Sequence, residues 1–220
     1  MNIAKYIDHT NLKPNALFKD IQKLCREAVE YGFYSVCVNP AYINLARGFL
    51  VGKDVKIVTV IGFPLGANNT QIKVYEALNS IDEGADEIDM VINISALKDG
   101  KNALVKDEIS RIKQVCKDKP LKVILETCYL TEEEIITAVK ICIEAGADFV
   151  KTSTGFGTRG ATLKDIEIMK SAAEGKIKIK ASGGIKDYEN AEAFINTGAD
   201  RVGTSSSVDI VLRRSGGESY

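Results

Sequence analysis

Histidine, paired cysteine, net charge and long apolar runs are all scarce in this 220-residue chain. There is one histidine, His9, and none of the five cysteines forms a Cys-x-x-Cys pair. Zinc centres are built from four closely spaced His and Cys ligands, so the usual zinc sets are excluded. An all-oxygen magnesium site stays open, but no residue cluster asks for one. The cysteines Cys25, Cys37, Cys116, Cys128 and Cys142 are scattered and odd in number. That reads as free thiols in a reducing compartment. The first residues, Met1-Asn-Ile-Ala-Lys-Tyr-Ile-Asp8, carry no apolar signal core. No uninterrupted apolar run approaches the roughly 20 residues that span a bilayer. A cytoplasmic protein with no membrane partner is therefore expected. The formal net charge is −1, which gives no reason to expect a nucleic-acid partner either.

What is present is ordinary for a soluble globular chain: 45% hydrophobic and 27% charged residues. The length suits one large domain or two small ones, and it is enough to bury a core without disulfides or metals. A weak internal repeat carries most of the structural information. Its copies are Gly32-Phe-Tyr-Ser-Val-Cys-Val38, Gly84-Ala-Asp-Glu-Ile-Asp-Met-Val91, Gly146-Ala-Asp-Phe-Val-Lys-Thr152 and Gly198-Ala-Asp-Arg-Val-Gly-Thr204. In each, a helical stretch ends at a glycine, which suits a left-handed cap, and a short apolar strand follows. A second family of strands lies between the copies: Lys56–Gly62, Leu121–Thr127, Lys176–Ser182 and, more weakly, Tyr6–Thr10. The clearest helix spans residues 131–145, opened by a capping box of Thr131 and Glu134. Thr162 followed by Asp165 marks another helix start.

Eight strand–helix units in a chain of this size predict a single (β/α)8 barrel over residues 1–220, with residues 215–220 as a tail. An open doubly wound sheet is the alternative, but no Gly-x-Gly-x-x-Gly follows the first strand. Barrel enzymes place reacting groups at the C-terminal ends of their strands. Those ends offer Asp8 and His9, Cys37, Asp89, Glu126, Lys151, Lys180 and Gly203. Lys151 lies in an apolar strand, on the same face as Phe149 and Ser153 by period two. A lysine in a barrel interior is costly unless it is paired or neutral. Burial beside a second cation lowers an amine's pKa and frees its lone pair to attack a carbonyl. Lys180, on the neighbouring strand, can be that cation, and Asp89 can move protons. Each has a plainer reading. Lys178 and Lys180 alternate with Ile177 and Ile179, as in a strand with one solvent-facing side, and Asp89 can be half of a buried ion pair. Gly183 and Gly184, with Gly203 through Ser207, follow the seventh and eighth strands, where barrels bind phosphate. Alone, they are turn glycines and a capping serine. His9 reads as a hydrogen-bonding strand-end residue, and Phe156 as a cleft wall.

Taken together, Asp8-His-Thr10, Val36-Cys-Val-Asn-Pro40, Ile61-Gly-Phe-Pro-Leu-Gly66, Glu87-Ile-Asp-Met-Val-Ile-Asn93, Phe149-Val-Lys-Thr-Ser-Thr-Gly155 and Lys180-Ala-Ser-Gly-Gly-Ile185 resemble the deoxyribose-phosphate aldolase family. The resemblance runs from residue 8 to about residue 207. It implies a class I aldolase that cleaves 2-deoxy-D-ribose 5-phosphate reversibly to D-glyceraldehyde 3-phosphate and acetaldehyde, without metal or organic cofactor. It makes Lys151 the Schiff-base lysine, Lys180 its pKa-perturbing neighbour and Asp89 the acid–base aspartate. A C-terminal tyrosine, Tyr220, is implied to assist proton transfer. Asp8, Cys37 and Thr152 fall near the substrate, Cys37 as a neighbour and not a nucleophile. Gly183, Gly184, Gly203, Ser205 and Ser206 fall at the phosphate. The resemblance also implies a homodimer or larger assembly. Ile7 and Lys186 depart from the family pattern, away from the chemistry. The residues alone leave open another sugar-phosphate aldolase or isomerase, or a barrel that binds phosphorylated metabolites without turnover.

Overall fold

A computed structural model describes residues 1–214. Its strands are β1 (Ile7–Asn11), β2 (Ser35–Val38), β3 (Lys56–Ile61), β4 (Glu87–Val91), β5 (Leu121–Ile124), β6 (Phe149–Lys151), β7 (Lys178–Ser182) and β8 (Arg201–Thr204). The helices are α1 (Phe18–Tyr31), α2 (Ile43–Leu50), α3 (Thr70–Glu83), α4 (Ile94–Lys98), α5 (Asn102–Cys116), α6 (Glu132–Glu144), α7 (Leu163–Ala173), α8 (Tyr188–Thr197) and α9 (Ser207–Val211). Every strand pairs in parallel with the next, and β8 returns to β1 with Gly203 opposite Asp8. The sheet is a closed (β/α)8 barrel. The open-sheet alternative is ruled out by the β8–β1 pairing.

The four repeat copies are the even strands. Their glycines, Gly32, Gly84, Gly146 and Gly198, all have positive φ, as helix ends before a short turn into a strand require. The expected capping boxes form at both α6 and α7. Thr131 and Thr162 are the caps themselves, so each helix begins one residue later.

The main core lies between the barrel and its helices, where Val36, Ile88, Val123, Val150, Ile179 and Val202 are buried. This settles the Lys178/Lys180 alternation. Ile177 and Ile179 are buried against the helices, Lys180 is buried inside the barrel, and Lys178, at the start of the strand, is exposed. The solvent-facing reading holds for Lys178 at the barrel's rim and fails for Lys180, because the interior of a closed barrel has no solvated strand face. Inside the barrel, one side is apolar, with Leu12, Cys37, Val58 and Val60 clustered against Phe63. The other side is charged. Among the described residues, no helix is long and apolar enough to cross a membrane.

Candidate active site

Strand register decides which charges meet. Asp89 lies opposite Lys122, Lys151 opposite Lys180, and Lys180 opposite Arg201. These inward positions stack Asp8, Glu87 and Asp89 among Lys122, Lys151, Lys180 and Arg201 in the barrel interior. Cations outnumber carboxylates by one, so the set is most easily buried if one amine is neutral.

The contacts indicate which one. Lys122 reaches Glu87 at 2.6 Å and Asp89 at 2.7 Å. Lys180 reaches Asp8 at 2.5 Å and Asp89 at 2.9 Å. Arg201 lies 3.6 Å from Asp8. Lys151 reaches only Asp89, at 2.9 Å, and shares that same carboxylate oxygen with Lys180. Burial lowers the Lys151 pKa; Asp89 opposes the shift, and the Lys180 charge adds to it. For Lys180 the burial penalty is outweighed by Asp8 and Asp89, so its pKa is raised. Lys122 is raised in the same way by Asp89 and Glu87. Burial would lift Asp89, but three lysines hold it well below the usual carboxylate range. The burial of Cys37 pushes its thiol up, which keeps it protonated and a poor nucleophile.

Above this cluster opens a cavity of about 230 Å³. Lys151 lies at its floor and is 3% exposed. Gly183, Gly184, Gly203, Thr204 and Ser205 line one end. Gly183 and Gly184 have φ of 86° and 76°, and a Cβ on Gly160 would lie 2.1 Å from the Gly183 carbonyl oxygen. The glycines are therefore needed both for turning and for the close approach of two loops. The Thr204 hydroxyl donates to the Ile185 carbonyl at 2.6 Å and accepts from the Ser206 N–H at 2.9 Å. It ties the loop after β7 to the loop after β8.

The expected residues thus separate into three groups. Lys151, Gly183, Gly184, Gly203 and Ser205 line the cavity. Asp8, Cys37, Asp89 and Lys180 are fully buried beneath it. Thr152 and Ser206 do not line it. The Thr152 hydroxyl donates to the Ser182 carbonyl and accepts from the Ser182 N–H, and Ser206 precedes α9. Tyr220 lies outside the described residues.

Sequence reading missed Lys122, although Leu121-Lys-Val-Ile124 carries the same signal as the Lys151 strand, a lysine among apolar residues. It also missed Arg159, which with Lys151 supplies the charged side chains of the cavity lining. Arg159 is held by Asp165 at 2.6 and 3.1 Å. Glu126, kept above its usual pKa by burial, accepts from the Thr154 N–H and hydroxyl and anchors the loop after β6.

The sequence model of the DeoC/LacD family aldolases matches residues 2–206. The chain belongs to that family. This DeoC/LacD aldolase, a carbon–carbon lyase, is 58% identical over 215 residues to the deoxyribose-phosphate aldolase of Thermococcus gammatolerans, covering 96% of each chain. The deoxyribose-phosphate aldolase of Mycoplasmoides gallisepticum is 57% identical over 211 residues, covering 96% of this chain and 94% of that one. Among solved structures, the deoxyribose phosphate aldolase of Aeropyrum pernix, described as a unique tetramer, superposes with a TM-score of 0.90 at 36% identity. The match covers 96% of this aldolase and 89% of that chain.

Proposed function

We propose that the chain cleaves 2-deoxy-D-ribose 5-phosphate reversibly to D-glyceraldehyde 3-phosphate and acetaldehyde through an imine at Lys151. One observation carries the reading. Among the three buried lysines of the barrel, Lys151 reaches the fewest carboxylate oxygens, and it is the one that lines the cavity. Relatives at 58% and 57% identity bear the name of this activity.

The neutral Lys151 amine attacks the C1 aldehyde of the open-chain sugar, and water leaves to give a protonated imine. The C3 hydroxyl loses its proton, the C2–C3 bond breaks, and its electron pair moves to C2 to form an enamine. D-glyceraldehyde 3-phosphate departs. The enamine is protonated at C2, and water releases acetaldehyde and restores the amine. Asp89 accepts hydrogen bonds from Lys151 and Lys180 and passes protons through water. The three lysines hold Asp89 ionised in the free enzyme, so it enters the cycle as a proton acceptor. Lys180 keeps Lys151 neutral and stays charged. The glycine cup formed by Gly183, Gly184, Gly203 and Ser205 receives the phosphate through backbone N–H groups, while Arg159 supplies positive charge at the rim. The relatives' names fit a cytoplasmic enzyme of deoxyribonucleotide breakdown, and the tetramer described for the Aeropyrum pernix structure fits one that self-associates.

The test is reductive trapping. Acetaldehyde with borohydride should add one ethyl group at Lys151, located by peptide mass mapping, and activity should disappear in step with labelling. An ethyl group on a different lysine, or full activity after Lys151 is labelled, overturns the assignment. Acetaldehyde release from a panel of sugar phosphates separates this substrate from those of other aldolases and isomerases.

A further inference from the structure

His9 faces away from the barrel interior, and the chemistry described above makes no use of it. Its ring is 3% exposed, and both nitrogens are engaged. Nε2 lies 3.0 Å from Glu27 of α1, and Nδ1 lies 2.8 Å from the hydroxyl of Ser207, the first residue of α9. The Ser207 hydroxyl is also 3.1 Å from the carbonyl of Thr204. Thr204 is the backbone register partner of His9 across β1 and β8. Its side chain spans the two loops of the glycine cup. Ser205 lines both the substrate cavity and a separate cleft of about 390 Å³ that His9 and Glu27 border. The β8–α9 loop is thus a thin wall, with the sugar-phosphate cavity on one side and His9 on the other.

We infer that His9 is a positioning residue for the phosphate cup, acting through the Ser207 hydroxyl at the start of α9 to fix the wall formed by Gly203, Thr204 and Ser205. The inference rests on the cup binding the phosphate, as proposed above. Proton counting supports a directed chain. Glu27 is held ionised by His9 and Lys23 against the effect of burial, so Nε2 carries a proton and donates to it. Burial keeps the ring neutral, which leaves Nδ1 as an acceptor for the Ser207 hydroxyl. The ring packs on Phe33 with centroids 5.0 Å apart, which limits its rotation. A side chain that only filled space would need neither nitrogen placed this way.

The test compares 2-deoxyribose 5-phosphate with unphosphorylated 2-deoxyribose, using wild type, Ser207→Ala, His9→Phe and the double variant. For the phosphorylated sugar, KM should rise roughly five- to tenfold, the effect of one or two buried hydrogen bonds, with kcat within about twofold. For the unphosphorylated sugar, kcat/KM should stay within about twofold. The double variant should be no worse than the worse single one, because both break the same chain. His9→Asn, whose amide takes the place of Nδ1, should recover most of the loss. A parallel fall for both sugars, an unchanged KM, or additive losses would overturn the inference. If His9→Phe does not fold, Ser207→Ala, which removes one oxygen, decides by the same criteria. A wild-type enzyme without preference for the phosphorylated sugar would sink the cup reading itself. A preference that the variants leave intact sinks only the role of His9.

Discussion

Lys151 and Lys180 are register partners on adjacent strands with opposite protonation tendencies, and the carboxylate oxygens each one reaches explain the difference. Lys180 bridges Asp8 and Asp89, whereas Lys151 shares one oxygen of Asp89. Lys180→Met should therefore act twice on Lys151. It removes a repelling cation, and it leaves that Asp89 oxygen to Lys151 alone. Both effects raise the Lys151 pKa. Because the neutral amine is the nucleophile, the rising limb of kcat/KM against pH should move to higher pH. Activity near neutrality should fall about tenfold for each unit of that movement. A variant with reduced activity and an unmoved limb would show that Lys180 acts by some other route. At this scale the sequence was legible where a lysine interrupts an apolar strand and a distinctive loop follows, as at Lys151. Lys122 and Arg201 lie in similar strands, but their roles depend on carboxylates from other strands, and no local pattern names a partner.

The loops after β6 and β7 pass so closely that glycine is required on both sides. A Cβ on Gly160 would lie 2.1 Å from the Gly183 carbonyl oxygen, and one on Gly183 would lie 3.0 Å from Gly160 Cα at a φ of 86°. Gly183→Ala and Gly160→Ala should each push the loops apart and weaken phosphate binding. KM for the phosphorylated sugar should rise on the order of tenfold, with a stability loss of about 1–3 kcal/mol from backbone strain. Isothermal titration with inorganic phosphate, alongside thermal melts, checks both effects, and tight phosphate binding by either variant would count against a cup that depends on this approach. Helix ends were legible in sequence because their signals are local: Gly32, Gly84, Gly146 and Gly198 at C-termini, and the Thr131 and Thr162 boxes at N-termini. The Gly160–Gly183 approach was not, since nothing near either glycine specifies which distant backbone it meets. The face assignment of β7 was ambiguous for a related reason. Period two separates two faces but does not say which is inside, and in this barrel the isoleucines face outward.

Across the whole molecule, the apolar core is the shell between strands and helices, so the barrel axis is free to hold charge. Two variants of one chemical type should then have opposite effects on stability. Lys122 is fully buried and bridges Glu87 and Asp89. Lys122→Met takes a cation from two buried carboxylates at once, leaving Glu87 with the Tyr34 hydroxyl and Asp89 with Lys151 and Lys180, and should cost about 3–5 kcal/mol. Lys151 is the surplus cation, and its lowered pKa means that the unfolded chain binds this proton more readily than the folded one. The sign follows: stability rises with pH through the interval between its folded and unfolded pKa values, and below that interval the lysine is a net burden on the fold. Removing it leaves Asp89 still bonded to Lys122 and Lys180. Lys151→Met should therefore raise stability at neutral pH by about 1 kcal/mol, or roughly 2–4 °C in Tm for a chain of this size, while turnover is lost. Paired thermal melts of the two methionine variants at pH 7 test this. If Lys151→Met melts below wild type, the amine contributes to the fold, and the three remaining cations do not by themselves balance the carboxylates of the barrel.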